Sequence, residues 1–86
     1  MEFRKEYVVC MVKKFKRKKK PVWYEVCGGA IKNIVTIGKH KLYYCYWFYQ
    51  KESGYGWFKE EFIFNNLDNA FIYKKKKNDE VTLNEN

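Results

Sequence analysis

The chain has 86 residues, a formal charge of +8 and an aromatic share of 21%, with Tyr the commonest ring. So short a chain forms one domain and buries only about 60 to 65% of the surface its unfolded form exposes, so every large apolar side chain weighs on its stability. Cys10, Cys27 and Cys45 are an odd set without CxxC spacing, no apolar run reaches about 18 residues and no secretory leader is recognisable; the expectation is a reduced, cytoplasmic protein, neither disulfide-framed nor inserted in a membrane.

Taken in chain order, β-branched and aromatic residues fill the runs between turn signals. EYVVCMVKKF reads as a first strand, apolar on both faces from Tyr7 to Val12. PVWYEVC reads as a second, entered through Pro21, with Gly28 and Gly29 breaking the chain after it. AIKNIVTIG is a third strand, GKHK a tight turn, LYYCYWFYQ a fourth strand, SGYG a hairpin loop and WFKEEFIF a fifth strand. Asn66 suits a helix N-cap, Asp68 the first turn, and Leu67, Ala70 and Phe71 share one helical face. This predicts a helix over about 67–76 closed by Lys74 to Lys77, a compact domain over 1–77, and a frayed polar tail over 78–86.

Five short strands followed by one helix define a mainly β (α+β) fold. The expected architecture is a strongly bent antiparallel meander or a small open barrel, SH3-like or OB-like in outline, with the helix over one end. Fold of this kind does not dictate function.

Strand LYYCYWFYQ poses the main question. Its even set is Leu42, Tyr44, Tyr46, Phe48 and Gln50; its odd set is Tyr43, Cys45, Trp47, Tyr49 and Lys51. Side chains alternate between faces, yet both sets are apolar to their last member. Either the strand is central and covered twice, or its leftover face packs under the loop from Lys13 to Lys20, meets a second copy, or serves a protein partner or the bases of a nucleic acid. Trp23, Tyr43, Trp47 and Tyr49 are the candidates for stacking or partner binding.

The charge is uneven. Residues 1–41 carry +9, residues 42–73 carry −2 and residues 74–86 carry +1. KKFKRKKKP places Lys13, Lys14, Lys16, Arg17, Lys18, Lys19 and Lys20 in eight positions, which predicts a protruding loop suited to phosphate contact or to solubility. Lys32, Lys39 and Lys41 are the further candidate phosphate ligands. No metal-ligand spacing, P-loop or dinucleotide fingerprint is present, each Cys lies within a strand, and adjacent Glu60 and Glu61 point to opposite faces, so no catalytic residue, metal or cofactor is expected.

The sequence therefore reads as a non-catalytic nucleic-acid-binding module, with single-stranded or RNA ligands favoured. The alternative is a small inhibitor that binds a host defence protein or nucleoprotein. The 16 Lys against 2 Arg suggest AT-rich coding, as in a phage or mobile element of a low-GC bacterium, working in the host cytoplasm. A homodimer is compatible with either reading.

Overall fold

The computed structural model describes residues 2–84. Four strands follow one another, β1 (Val8–Phe15), β2 (Trp23–Ile37), β3 (His40–Tyr49) and β4 (Glu52–Lys59). A 3-10 turn at Glu60–Phe62 then leads into the two-residue β5 (Ile63–Phe64) and the helix α1 (Leu67–Asn84). The sheet is antiparallel in the order β4-β3-β2-β1-β5. Its edge strands do not pair with each other, so it is an open, bent meander with one C-terminal helix, as the sequence implies.

Register decides the two faces. Met11 pairs with Cys27 and Ile63, Ile31 with Cys45, and Tyr43 with Phe58. These residues, with Val9 and Phe15, form the buried core on the inner face. Phe3 adds an edge-on ring contact to Tyr43 at 5.8 Å. Between Ile31 and Asn33 the register shifts, leaving Lys32 as a bulge that bends β2 and returns Ile34 to the inner side opposite Tyr43.

The outer face is divided. α1 packs on β1, β2 and β5, and its inward stripe is Ala70, Tyr73, Lys74, Lys77, Asn78 and Val81, spaced at helical intervals. Tyr73 meets Phe62 and Phe64 at 5.5 and 5.4 Å. Val12, which points outward from β1, is 1% exposed beneath the helix. Among the described residues, nothing gives the outer face of β3 and β4 such cover.

Four boundaries differ from expectation. WFKEEFIF is not one strand, since Trp57–Lys59 close β4, Glu60–Phe62 form the 3-10 turn and only Ile63–Phe64 return to the sheet. Gly28 and Gly29 do not break the chain, since β2 runs through them as one 15-residue strand. The missing side chains serve packing: a Cβ on Gly28 would stand 2.7 Å from the Phe48 ring, and one on Gly29 would stand 1.9 Å from the Tyr46 carbonyl oxygen. SGYG is not the hairpin loop either. It lies inside β4, and the turn is Gln50–Lys51, with Gln50 at φ 53°.

The helix does begin as expected, with the Asn69 amide donating to the Asn66 side chain at 3.1 Å. It does not end at 76 but continues to Asn84, through the segment expected to fray. The extension is held by Asn78, whose side chain accepts from the Tyr24 amide at 2.7 Å and donates to the Tyr24 carbonyl at 3.1 Å. Residues 85 and 86 lie outside the described residues. No helix among those described is long and apolar enough to cross a membrane.

Candidate functional site

Because the sheet is open, the free edge of β4 faces the part of β1 that extends beyond its short pairing with β5. Between them lies a cleft of about 500 Å³, walled by Val12, Lys13 and Lys14 on one side and by Tyr55, Gly56, Trp57, Phe58 and Lys59 on the other. Tyr24, Trp47 and Phe62 complete it. The ion pair between Arg17 and Glu52 bridges the two edges where β1 ends and β4 begins, while the 3-10 turn joins them at the other end. Three lysines and six aromatic rings line the cleft, and among the described residues no carboxylate does.

The three lysines that line the cleft are placed by strands, and a fourth stands near from the helix. Lys13 points inward from β1, its ammonium 4.5 Å from the Trp47 ring centroid and 4.4 Å from that of Phe15. Such cation–π contacts hold the charge at the mouth without neutralising it. Lys14 points to the outer face beside Tyr24, and Lys59 ends β4 opposite Leu42. Lys77 approaches from α1, 5.8 and 5.5 Å from the Tyr24 and Phe62 rings.

The expected phosphate ligands do not form one surface. Lys16, Lys18, Lys19 and Lys20 are exposed in the β1–β2 loop, at the Arg17 end of the cleft. Arg17 is engaged with Glu52 and lies over Trp23 at 5.7 Å. Lys32 pairs with Glu6 at 3.1 Å. Lys39 and Lys41 sit at the β2–β3 hairpin, at the other end of β2 from the β1–β2 loop, where they share a second cleft with Lys59, Glu60 and Glu61. Lys59 is not among the residues that the sequence singles out; its place at the end of an alternating strand shows only when β4 is taken from Glu52.

The stacking set also needs correction. Tyr43 is 1% exposed and belongs to the core, so it cannot stack on a ligand. Trp23, Trp47 and Tyr49 are half-buried on the same inner face. Trp23 stacks on Phe15 at 5.7 Å, and the Tyr49 hydroxyl donates to the Glu25 carboxylate. Of the four, only Trp47 lines the cleft.

The parity follows from β4, where Gly54 and Gly56 lie opposite Trp47 and Cys45 and leave room for an inward indole. The outward positions then carry the exposed rings. Tyr44 stacks on Tyr55 at 5.7 Å and meets Trp57 at 5.0 Å, and Tyr46 meets Tyr55 at 5.4 Å and Phe48 at 6.3 Å.

The thiols are poor nucleophiles here. Burial pushes Cys27 up to about 12 and Cys45 up to about 11, and it also raises Cys10. Among the described residues no group of three His, Cys, Asp or Glu side chains is arranged to hold a metal ion. Neither protein-family models, nor curated proteins, nor solved structures give a match to this chain.

Proposed function

We propose that the protein is a non-catalytic module that binds single-stranded nucleic acid along the open side of its barrel. The observation that carries this reading is the composition of the cleft, which combines cations and aromatic faces and excludes carboxylates. Phosphates would lie along Lys13, Lys14 and Lys59, with the β1–β2 loop extending the track. Bases would stack at Trp57 and Tyr55, which are 52% and 58% exposed. A duplex is too wide to bring its bases into such a slot, which favours single strands. A cytoplasmic setting fits three unpaired cysteines.

A second reading is a protein-binding inhibitor, of the kind a phage or mobile element directs at a host defence protein. It is favoured by the β4 edge, which is unpaired on one side and carries no charge from Ser53 to Phe58. An acidic extended segment could add to that edge as a strand.

The two separate in one titration. After removal of bound polyanions in high salt, the protein is added to a labelled mixed-sequence oligonucleotide of about 12 nucleotides, to the same sequence as a duplex, and to an acidic extended peptide. Tightest binding to the single strand supports the first reading. Binding to the peptide alone replaces it with the second.

A further inference from the structure

A second cleft of about 530 Å³ opens where β4 ends. Lys39, His40 and Lys41 wall it on the side of the β2–β3 hairpin, and Lys59, Glu60 and Glu61 on the other. Lys59 also lines the first cleft, so one ammonium group stands at the junction of the two. We propose that a single strand leaving the first cleft passes Lys59 and continues through the second, where Lys39, His40 and Lys41 hold its phosphates and no base is stacked. The proposal rests on the reading of the first cleft as a nucleic-acid site and extends it to a longer ligand.

The lysines of the second cleft are placed to take an anion from outside. Arg17, Lys32, Lys74, Lys75 and Lys77 each lie within ion-pair distance of a carboxylate. Among the described residues Lys39, Lys41 and Lys59 do not, although two glutamates share their cleft, and all three are exposed. Glu61 accepts a hydrogen bond from the Tyr73 hydroxyl at 2.9 Å and so turns toward the helix, while Glu60 opens the 3-10 turn. The acids therefore confine a phosphate to the hairpin side. There His40, between the two lysines, adds a ring nitrogen that can donate to a phosphate oxygen.

The backbone fixes both ends of the path. Ile37 pairs with His40 across the two-residue turn Gly38–Lys39, with Gly38 at φ 61°, a conformation open to glycine. β4 runs from Glu52, tied to Arg17 of the β1–β2 loop, to Lys59, which lies opposite Leu42 beside the hairpin. Its eight residues span about 23 Å, at roughly 3.3 Å for each step. Among the described residues only Ile37 and Leu42 add apolar surface to the second cleft, and no Trp, Tyr or Phe ring lines it. Contact there is with phosphate and sugar and is indifferent to the base.

The test is the salt dependence of binding for three labelled strands. One is a mixed strand of about 6 nucleotides; the others carry about 6 abasic nucleotides more, at the 5′ or the 3′ end, which keeps all three within the usual site size. At least one extension should steepen the slope of log Kd against log salt by about 1.4, from roughly 0.7 for each of Lys39 and Lys41. The double variant Lys39→Gln, Lys41→Gln, changed only at exposed positions, should return that slope to the value of the short strand and leave the short strand's own binding unchanged. If both extensions steepen the slope, the double variant should abolish one gain and spare the other, which then belongs to the β1–β2 loop. Slopes that neither extension changes, or gains that all survive the double variant, overturn the proposal and leave the first cleft standing. Failure of the parent chain to bind any of the three strands overturns both readings together.

Discussion

Gly54 stands opposite Trp47 in the β3–β4 ladder, and the indole occupies the space a side chain at Gly54 would take: a Cβ there would lie 3.2 Å from Trp47 Cζ2. Gly56, two residues on, has only ordinary contacts at 3.7 Å and beyond. Gly54→Val should therefore lower stability by about 1 to 3 kcal/mol, the usual cost of overpacking. Gly56→Ala should be near neutral, while Gly29→Ala, which meets a backbone carbonyl, should prevent folding. Thermal unfolding of the three variants checks the order.

The two faces of β3 separate in the same experiment. Tyr43→Ala removes a fully buried ring and should cost about 3 to 5 kcal/mol. Trp47→Ala should also be clearly destabilising, since its ring meets Phe15 and carries the Lys13 contact. Phe48→Ser should cost far less. Equal losses at positions 47 and 48 would show that the outer face is covered after all.

The second half of α1 depends on Asn78. Asn78→Ala leaves the Tyr24 amide and carbonyl without their side-chain partners, at a cost of about 1 to 2 kcal/mol. Hydrogen exchange should report faster exchange over residues 78–84 with little change over 67–74. Uniform loss of protection along the helix would place the anchor elsewhere.

Two groups contribute on opposite sides of neutral pH. Burial alone would raise the Glu25 carboxyl, but the Tyr49 hydroxyl and the Lys74 ammonium, 2.9 Å away, outweigh it and hold it below its ordinary value. The resulting stability is full above the unfolded value of about 4.3 and is lost as pH falls through the folded one. Burial and the hydrogen bond to Glu61 push Tyr73 up to about 12, so its contribution is full below about 10 and is lost as pH rises toward the folded value. Glu25→Gln should flatten the acid limb of a melting-temperature profile, and Tyr73→Phe the alkaline limb. A change on the acid limb in Tyr73→Phe would contradict the assignment, whereas Glu25→Gln also touches the alkaline limb, because the bond to Glu25 holds the Tyr49 hydroxyl above its ordinary value.

The antiparallel meander and the Asn66 cap are legible because alternation and capping are local, whereas the strand boundaries are not: two expected strands merge in β2 and the expected fifth is divided between β4 and β5. Which face of LYYCYWFYQ is buried is not, because both of its sets are apolar. The deciding signal lay next door in SGYGWF, whose glycines alternate with Tyr55 and Trp57, and which resembles a turn until it is read as a strand. The length of α1 was hidden for a different reason. Its inward stripe contains Lys74, Lys77 and Asn78, held by the Glu25 ion pair, ring faces and the Tyr24 backbone rather than by apolar burial, and no hydrophobic period records it. Likewise, the division of the lysines between the two ends of the sheet appears only once β2 is one strand.

The most direct test of the cleft is the salt dependence of single-strand binding in two triple variants. Replacing Lys13, Lys14 and Lys59 with Gln should make the slope of log Kd against log salt shallower by about 2, from roughly 0.7 per lost phosphate contact. Replacing Lys32, Lys75 and Lys76 with Gln should leave the slope near that of the parent chain. If the second set flattens the slope and the first does not, or if the parent protein binds single strands with no salt dependence, the open side of the barrel is not the nucleic-acid site.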